Sequence, residues 1–381
     1  MKIVYLFYHF AQKAGTERIL INKMNWLAEH GYDIYALTYE QGDHPFAFPL
    51  SDKVQHIDLN TRFYPLYKYS AIKRLWLTFW LRCQFLRKLR EFVIHYRPDV
   101  MVCTTYAPFE IKALTKVCRP LSIPFFIESH HIYLKTKDIS LLSLIFHRNK
   151  PFTRNHLIAA NRVVSLTEDD AKEWRKVVDR VDVIPNMVNP NLTKTYSNQT
   201  MQQVIFACRL EEDKGLSDLL DVWKIVHEHH PDWTLQIYGT GTQKNWFIDQ
   251  VDRLNIGIHV HNPVADIMEK YRNSSILILT SILEPFGLVL VEAMSCGLPV
   301  VAFDCPYGPA KIITDSVDGF LIKHRDIKSF ANRVCQLIED KELRHRMGHA
   351  AIQSVHRYSP EQIMPKWQAL FESIKYYLQK N

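Results

Sequence analysis

Residues 274–304 read SSILILTSILEPFGLVLVEAMSCGLPVVAFD, and their order of apolar runs and breakers decides the fold. Ile276 to Thr280 is a near-continuous apolar run, as a strand buried on both faces of a parallel sheet requires. Pro285 interrupts the pattern and leaves Glu284 in a loop. A helix then begins near Phe286 or Gly287 and carries Leu288, Val289, Val291, Glu292, Ala293 and Met294. Gly297 ends that helix and Pro299 forbids its continuation. Val300 to Phe303 is the next strand. Strand, loop, helix, turn and strand in this order form one βαβ unit, so the chain is α/β.

Two carboxylates stand out in this unit. Glu284 precedes the helix at the carboxyl end of a strand, and Glu292 lies about two turns in, on the face shared with Leu288. A helix N-terminus offers unpaired N–H groups and partial positive charge, which suits a phosphate. Gly287 lets that backbone come close to a ligand. An ionised carboxylate only accepts hydrogen bonds, so both glutamates suit sugar or ribose hydroxyls rather than phosphate oxygens. On the residues alone, an ordinary βαβ unit with two surface glutamates reads the same way. The run EPFGLVLVE, followed by A-M-x-x-G-x-P-V-V, resembles the E-x7-E motif of retaining glycosyltransferases of family 4.

At 381 residues with 47% hydrophobic side chains, the chain is long enough for two α/β domains. Met1 leads directly into the apolar strand Ile3 to Tyr8, which is too short for a signal peptide and lacks a cleavage site. No run has the length of a membrane-spanning helix. The seven cysteines are scattered without metal-like spacing, as expected of reduced thiols in a cytoplasmic protein. The net charge of +7 is uneven. Residues 1–190 hold 27 Lys and Arg against 18 Asp and Glu, and the rest 20 against 22. The first half is therefore expected to meet an anionic surface or substrate, unless the difference is mere drift of surface charge.

In chain order, Lys2 to Phe10 reads as a buried strand, followed by the loop AQKAG. Glu17 to His30 reads as a helix with Leu20, Met24, Leu27 and Ala28 on one face, and Asp33 to Tyr39 as a strand. This βαβ opening places Gly15 at a strand-to-helix junction, where such folds bind ligands. The absence of G-x-G-x-x-G speaks against a nicotinamide dehydrogenase. Ala14-Gly15-Thr16-Glu17-Arg18 is similar to the family's G-G-x-E-R loop, with the first glycine replaced. The resemblance implies that Gly15 lies near the donor diphosphate and the acceptor.

Residues 63–97, FYPLYKYSAIKRLWLTFWLRCQFLRKLREFVIHYR, interleave aromatic, aliphatic and basic residues. A helix of this composition suits a membrane interface with its cations on anionic head groups. It also suits a helix that covers the sheet with the stems of its basic side chains. Leu141 to Arg154 has the same character. No nucleic-acid recognition motif accompanies these basic residues, so nucleic acid is not an expected partner.

A strand from Pro124 to Ser129 ends in Glu128-Ser129-His130-His131, either part of a site or a polar loop. No third ligand stands at metal spacing from this His pair, so no metal site is expected. The family resemblance implies a histidine near the reacting sugar here. His130 is assigned to it, with His131 as the alternative. Pro185-Asn186-Met187-Val188 is similar to the family's P-N-G-V element before the hinge, which sets domains at 1–188 and 189–358, and a final helix at 359–381 that crosses back to the first domain.

The second half opens with a strand, Gln203 to Cys208, then Arg209-Leu210-Glu211-Glu212-Asp213-Lys214-Gly215 and a helix from Leu216 to His229. Arg209 offers a planar fork and Lys214 a point charge to a diphosphate, although an R-x4-K pair is most often a pair of surface cations. The run resembles the family's G-R-L-x-x-x-K-G, with Cys208 in place of the glycine, which implies that both cations hold the donor diphosphate. Gly239-Thr240-Gly241 resembles the family's G-x-G along the nucleotide.

Taken together, the resemblance covers nearly the whole chain. It implies a GT-B fold, two Rossmann-like doubly wound domains facing a cleft. It implies transfer of a hexose or N-acetylhexosamine from a nucleotide sugar, UDP-linked, to a glycan or lipid-linked glycan acceptor, with retention and without cofactor or metal. Catalytic roles fall to Glu284, His130, Arg209 and Lys214. Donor binding falls to Gly15, Arg209, Lys214, Gly239, Glu284, Phe286, Gly287, Leu288 and Glu292. The expected location is cytoplasmic, peripheral on the inner face of the cell membrane. A non-catalytic sugar-binding relative and a nucleotide-sugar epimerase of the same fold are the alternatives.

Overall fold

The computed structural model describes residues 1–104, 108–130, 160–188, 195–264 and 266–380. The chain divides into two compact units, Met1–Ile184 with Met364–Asn381, and Pro185–Ile363. Each is built on one parallel sheet.

The strands of the first unit are β1 (Lys2–Leu6), β2 (Asp33–Thr38), β3 (Gln55–Asp58), β4 (Val100–Thr104), β5 (Phe125–Ser129), β6 (Arg162–Ser165) and β7 (Val181–Val183). Their order is β3-β2-β1-β4-β5-β6-β7. Uninterrupted apolar runs such as Ile3–Leu6 and Val100–Cys103 are buried throughout, because helices cover both faces of such a sheet. The strand expected to reach Phe10 ends at Leu6. Beyond it the Phe10 N–H donates to the Gln41 side chain at 2.7 Å instead of to a neighbouring strand. Among the described residues, four helices follow the strands: α1 (Gly15–Glu29), α2 (Ala71–Tyr96), α3 (Pro108–Cys118) and α4 (Glu168–Arg175). Helix α1 starts two residues before the expected Glu17 and buries Leu20, Met24, Leu27 and Ala28, the apolar face read from the sequence. Thr167 caps α4 by accepting from the Asp170 N–H, and three acidic residues sit in its first turn, where the helix dipole favours them.

The second unit has β8 (Gln203–Ala207), β9 (Thr234–Tyr238), β10 (Ile258–His261), β11 (Ile276–Leu279), β12 (Val300–Asp304) and β13 (Gly319–Lys323). Their order is β10-β9-β8-β11-β12-β13. Its helices are α5 (Leu216–His229), α6 (Lys244–Leu254), α7 (Ile267–Arg272), α8 (Leu288–Ser295), α9 (Pro309–Ile312), α10 (Ile327–Glu339) and α11 (Lys341–Val355). The closing helices break at Asp340 as well as at Ser359, because Asp340 caps α11 by accepting from the Leu343 N–H. Helix α12 (Pro360–Lys380) begins in the second unit and ends in the first.

Strand order fixes where a ligand can sit. In both sheets the order reverses at a central pair, β1 beside β4 and β8 beside β11. The connections from these pairs leave to opposite sides, so a crevice opens at the strands' carboxyl ends. In the second unit, that places the loop after β8 beside the loop after β11.

Candidate active site

The loop after β8 carries Arg209 and Lys214, and the loop after β11 carries Glu284. These loops are stitched together by backbone. The Ile282 N–H donates to the Asp213 carbonyl at 2.9 Å, and the Thr280 hydroxyl donates to the Lys214 and Gly215 carbonyls at 3.1 Å each. Gly215 has φ +64°, and a Cβ there would lie 2.0 Å from the Thr280 carbonyl oxygen. Only glycine permits both the conformation and the approach.

The stitching brings Lys214 Nζ to 2.6 Å from Glu284 Oε2, with the two side chains 8% and 13% exposed. The Ser281 hydroxyl donates to the same carboxylate oxygen at 3.3 Å. Burial works against the charge on Lys214, yet Glu284 holds its ammonium above the ordinary lysine range. The sequence reading assigned the two residues separate contacts. The structure makes them one buried pair of opposite charges.

Helix α8 begins at Leu288, not at Phe286 or Gly287. Gly287 has φ +96°, which a right-handed helix cannot include. Glu292 is consequently one turn into the helix rather than two, and it is buried. The Leu290 and Val291 N–H groups close onto the Gly287 carbonyl, so those of Leu288 and Val289 precede the first helical acceptor. Phe286 is buried with its ring 5.4 Å from that of Tyr358, which leaves it only backbone to offer a ligand.

Arg209 is exposed at the rim of the same loop. Gly239 lies against it from the next strand, since a Cβ on Gly239 would sit 2.0 Å from the Cys208 carbonyl oxygen. Cys208 donates to the Arg209 carbonyl at 3.1 Å, and burial pushes its thiol pKa up. A neutral thiol at this position adds no charge of its own beside Arg209 and Lys214. Burial likewise pushes the Cys305 thiol up to about 12.

The first unit holds a buried cluster of its own, and most of it was not read from the sequence. Lys23 Nζ on α1 lies 2.5 Å from Glu128 Oε2 at the end of β5, and His130 Nε2 lies 3.2 Å from that same oxygen. Lys23 also sits 3.8 Å over the ring of Trp367 on α12. Burial opposes charge on Glu128, but Lys23 and His130 outweigh it and hold the carboxyl below the usual range. An ionised Glu128 accepts only, so His130 presents Nε2–H to it and turns Nδ1 elsewhere. Lys23 was invisible because it stands 105 residues from its partner. Gly15 is the first residue of α1, and two residues on, the buried Glu17 accepts from the Tyr8 hydroxyl at 3.0 Å. Burial raises the Glu17 pKa. His131 and the stretch 141–154 lie outside the described residues. Among the described residues no group of His, Cys, Asp or Glu is arranged to hold a metal ion.

Two parallel α/β sheets, each with its loops gathered at a switch point, make up the fold of GT-B glycosyltransferases. Two glycosyltransferase family models divide the chain between them and make it a glycosyltransferase: "Glycosyltransferase Family 4" matches residues 14–192, and "Glycosyl transferases group 1" matches residues 191–354. It is 27% identical over 376 residues to the amylovoran biosynthesis glycosyltransferase AmsD of Erwinia amylovora, covering 96% of this chain and 98% of that one. It is 26% identical over 235 residues to a poly(ribitol-phosphate) alpha-N-acetylglucosaminyltransferase of Staphylococcus aureus, covering 60% of this chain and 47% of that one. Among solved structures, TarM superposes with a TM-score of 0.77 at 16% identity, over 97% of this chain and 99% of that one. Anabaena HepE in complex with UDP and glucose superposes with a TM-score of 0.74 at 19% identity, over 98% of this chain and all of that one.

Proposed function

We propose that this glycosyltransferase moves a hexose or N-acetylhexosamine from a UDP-sugar to a lipid-linked glycan, with retention, in the synthesis of bacterial surface polysaccharide or oligosaccharide. The observation that carries the reading is the buried Lys214–Glu284 pair at 2.6 Å on the switch point of the second sheet. One cation and one carboxylate side by side match the two chemistries of a nucleotide sugar, an anionic diphosphate joined to a polyhydroxylated ring. The name of one relative, the amylovoran biosynthesis glycosyltransferase AmsD, supports a place in polysaccharide synthesis. HepE, solved with UDP and glucose, supports the donor.

Each residue then has a task. Lys214 and Arg209 neutralise the diphosphate as it gains charge on leaving, an interaction that strengthens toward the transition state and so speeds chemistry. Glu284, freed from Lys214 by the incoming phosphate, accepts from hydroxyls of the transferred sugar. Glu292 accepts from the ribose. Phe286, Gly287 and Leu288 donate backbone N–H groups to sugar or phosphate, and Gly15 and Gly239 give the backbone room beside the donor. His130, fixed by Glu128, orients the reacting sugar. The acceptor oxygen bonds to the anomeric carbon on the face from which the phosphate departs. The anomeric C–O bond to phosphate breaks, and the phosphate oxygen takes the acceptor's proton. No metal or cofactor enters this scheme. The protein works at the cytoplasmic face of the cell membrane, where lipid-linked acceptors are made. No helix among the described residues is long and apolar enough to cross a membrane.

The test is nucleotide release from UDP-, GDP- and ADP-sugars with EDTA present, with and without a bacterial lipid extract. The product anomer is read by proton NMR. Release from a UDP-sugar that requires the extract, and is lost in Arg209→Ala/Lys214→Ala, is expected. Donor epimerisation without an acceptor, or an inverted product, would refute the scheme.

A further inference from the structure

Helix α2 carries a broad apolar surface, and only its carboxyl-terminal part is used in the core. Toward its carboxyl end Phe85, Leu89, Phe92 and Val93 are buried in the core of the first unit. Toward its amino end Ile72, Leu75, Trp76 and Phe79 recur at helical spacing and are 86%, 68%, 63% and 70% exposed. Trp80 beside them and Cys83 further along are exposed too. Trp76 and Phe85 are nine residues apart, which at about 100° per residue puts them on opposite sides of the helix. Leu75 lies eighteen residues, five whole turns, before the buried Val93 and so continues the core stripe, while Phe79, Ile72 and Trp76 carry the apolar surface round to the far side of the helix, where it ends in solvent.

The charge along the amino-terminal part of this helix has one sign, and its first carboxylate, Glu91, lies 3.8 Å from Arg87. From Leu59 to Arg90 there are eight Lys and Arg and no Asp or Glu. Lys68, Lys73 and Arg74 stand at the amino end of the exposed stripe, and Lys73 lies 4.6 Å over the ring of Tyr69. A protein partner would have to supply both an apolar groove and a surrounding field of carboxylates. A bilayer containing anionic lipid supplies both without any fitted shape.

We propose that the outward face of α2 docks on anionic membrane lipid. Ile72, Leu75, Trp76, Phe79 and Trp80 enter the boundary between head groups and acyl chains, and Lys68 and Lys73 lie on the lipid phosphates. The stripe from Ile72 to Trp80 is about 12 Å long, two turns of a helix lying in the interface plane. The inference deepens the proposed membrane-borne acceptor, on which it rests, by naming the surface that reaches it. The buried half of α2 anchors the helix in the fold, so the enzyme meets the bilayer with a fixed face of its first unit.

The test is co-sedimentation of the full chain with vesicles of phosphatidylcholine, with and without phosphatidylglycerol, at low and high salt and without nucleotide. Wild type is expected to bind the anionic vesicles, release in high salt, and show tryptophan quenching by brominated lipid. Trp76→Ser/Phe79→Ser is expected to lose binding by at least about tenfold, since two aromatic side chains lose their burial. Lys68→Glu/Lys73→Glu is expected to lose it on anionic vesicles alone. All four side chains lie at the surface, and both variants are expected to melt like wild type. Arg209→Ala/Lys214→Ala is expected to bind vesicles like wild type, which separates this inference from the donor chemistry. Equal binding by the Trp76→Ser/Phe79→Ser variant overturns the proposal. So does failure to bind vesicles, and so does a dimer in solution that this variant abolishes while vesicles go unbound.

Discussion

Lys214 is the residue on which structure and chemistry make separable demands, and its replacement by methionine tests both. At 2.6 Å and an effective dielectric of about 20, its attraction to Glu284 is about 6 kcal/mol before desolvation. Most of that offsets the removal of two charges from water. Deleting one partner of such a pair costs about 3–5 kcal/mol, because the other is left buried and uncompensated. Glu284 retains the Ser281 hydroxyl and is 13% exposed, so the lower end, about 3 kcal/mol, is expected for Lys214→Met. Glu284→Gln removes the opposite charge, and the double variant leaves no orphan. Urea denaturation should therefore give a coupling energy of about 2–3 kcal/mol, with the double variant recovering much of the stability lost by Lys214→Met. Turnover should behave differently. In the proposed mechanism, losing the Lys214 charge beside the departing diphosphate costs about 2.7–4 kcal/mol in the transition state, a fall in kcat of about 10²–10³. No second substitution restores that charge. If Lys214→Met/Glu284→Gln regains both stability and turnover, Lys214 serves only to neutralise Glu284, and the catalytic assignment fails.

Other outcomes follow from the same geometry. Glu128 is held below its unfolded value near 4.5, so its charge contributes stability above that pH, and the contribution is lost as pH falls through the folded value. In Glu128→Gln this limb of the urea midpoint against pH should flatten, and an unchanged acid limb would contradict the Lys23–Glu128 pair. Trp367→Ala should cost about 3–5 kcal/mol by opening a cavity beneath Lys23, measured by chemical denaturation. Gly215→Ala should destabilise by more than the 1–2 kcal/mol of a left-handed non-glycine residue, because its Cβ would meet the Thr280 carbonyl at 2.0 Å. It should also raise the KM for donor by shifting Lys214, and a melting curve with donor titration reads both effects.

The legible parts of the chain were those whose signal is local. The strand, loop, helix and strand of residues 274–304 announced themselves because a buried parallel strand needs an unbroken apolar run, and because Gly297 and Pro299 end a helix by their own covalent geometry. Helix α5 was readable from end to end for the same reason. The edge strands β3 and β10 were not, since QHID and IHVH are partly exposed and carry no run of buried side chains. The two-residue error at the start of α8 came from Gly287, whose φ of +96° is a property of its place in the loop and not of the letter G.

The sequence by itself also supplied the ionisable groups, namely Arg209, Lys214, Glu284, Glu292 and His130, and the resemblance that gave them roles. Tertiary structure alone decided which of them meet. Lys214 and Glu284 are 70 residues apart, and Lys23 and Glu128 are 105 apart. Their partnerships depend on β8 lying beside β11, and on α1 packing where β5 ends. Charge pairing acts through space over a few ångströms, whereas propensity and periodicity act along the chain. Only the order of strands in a sheet converts one into the other.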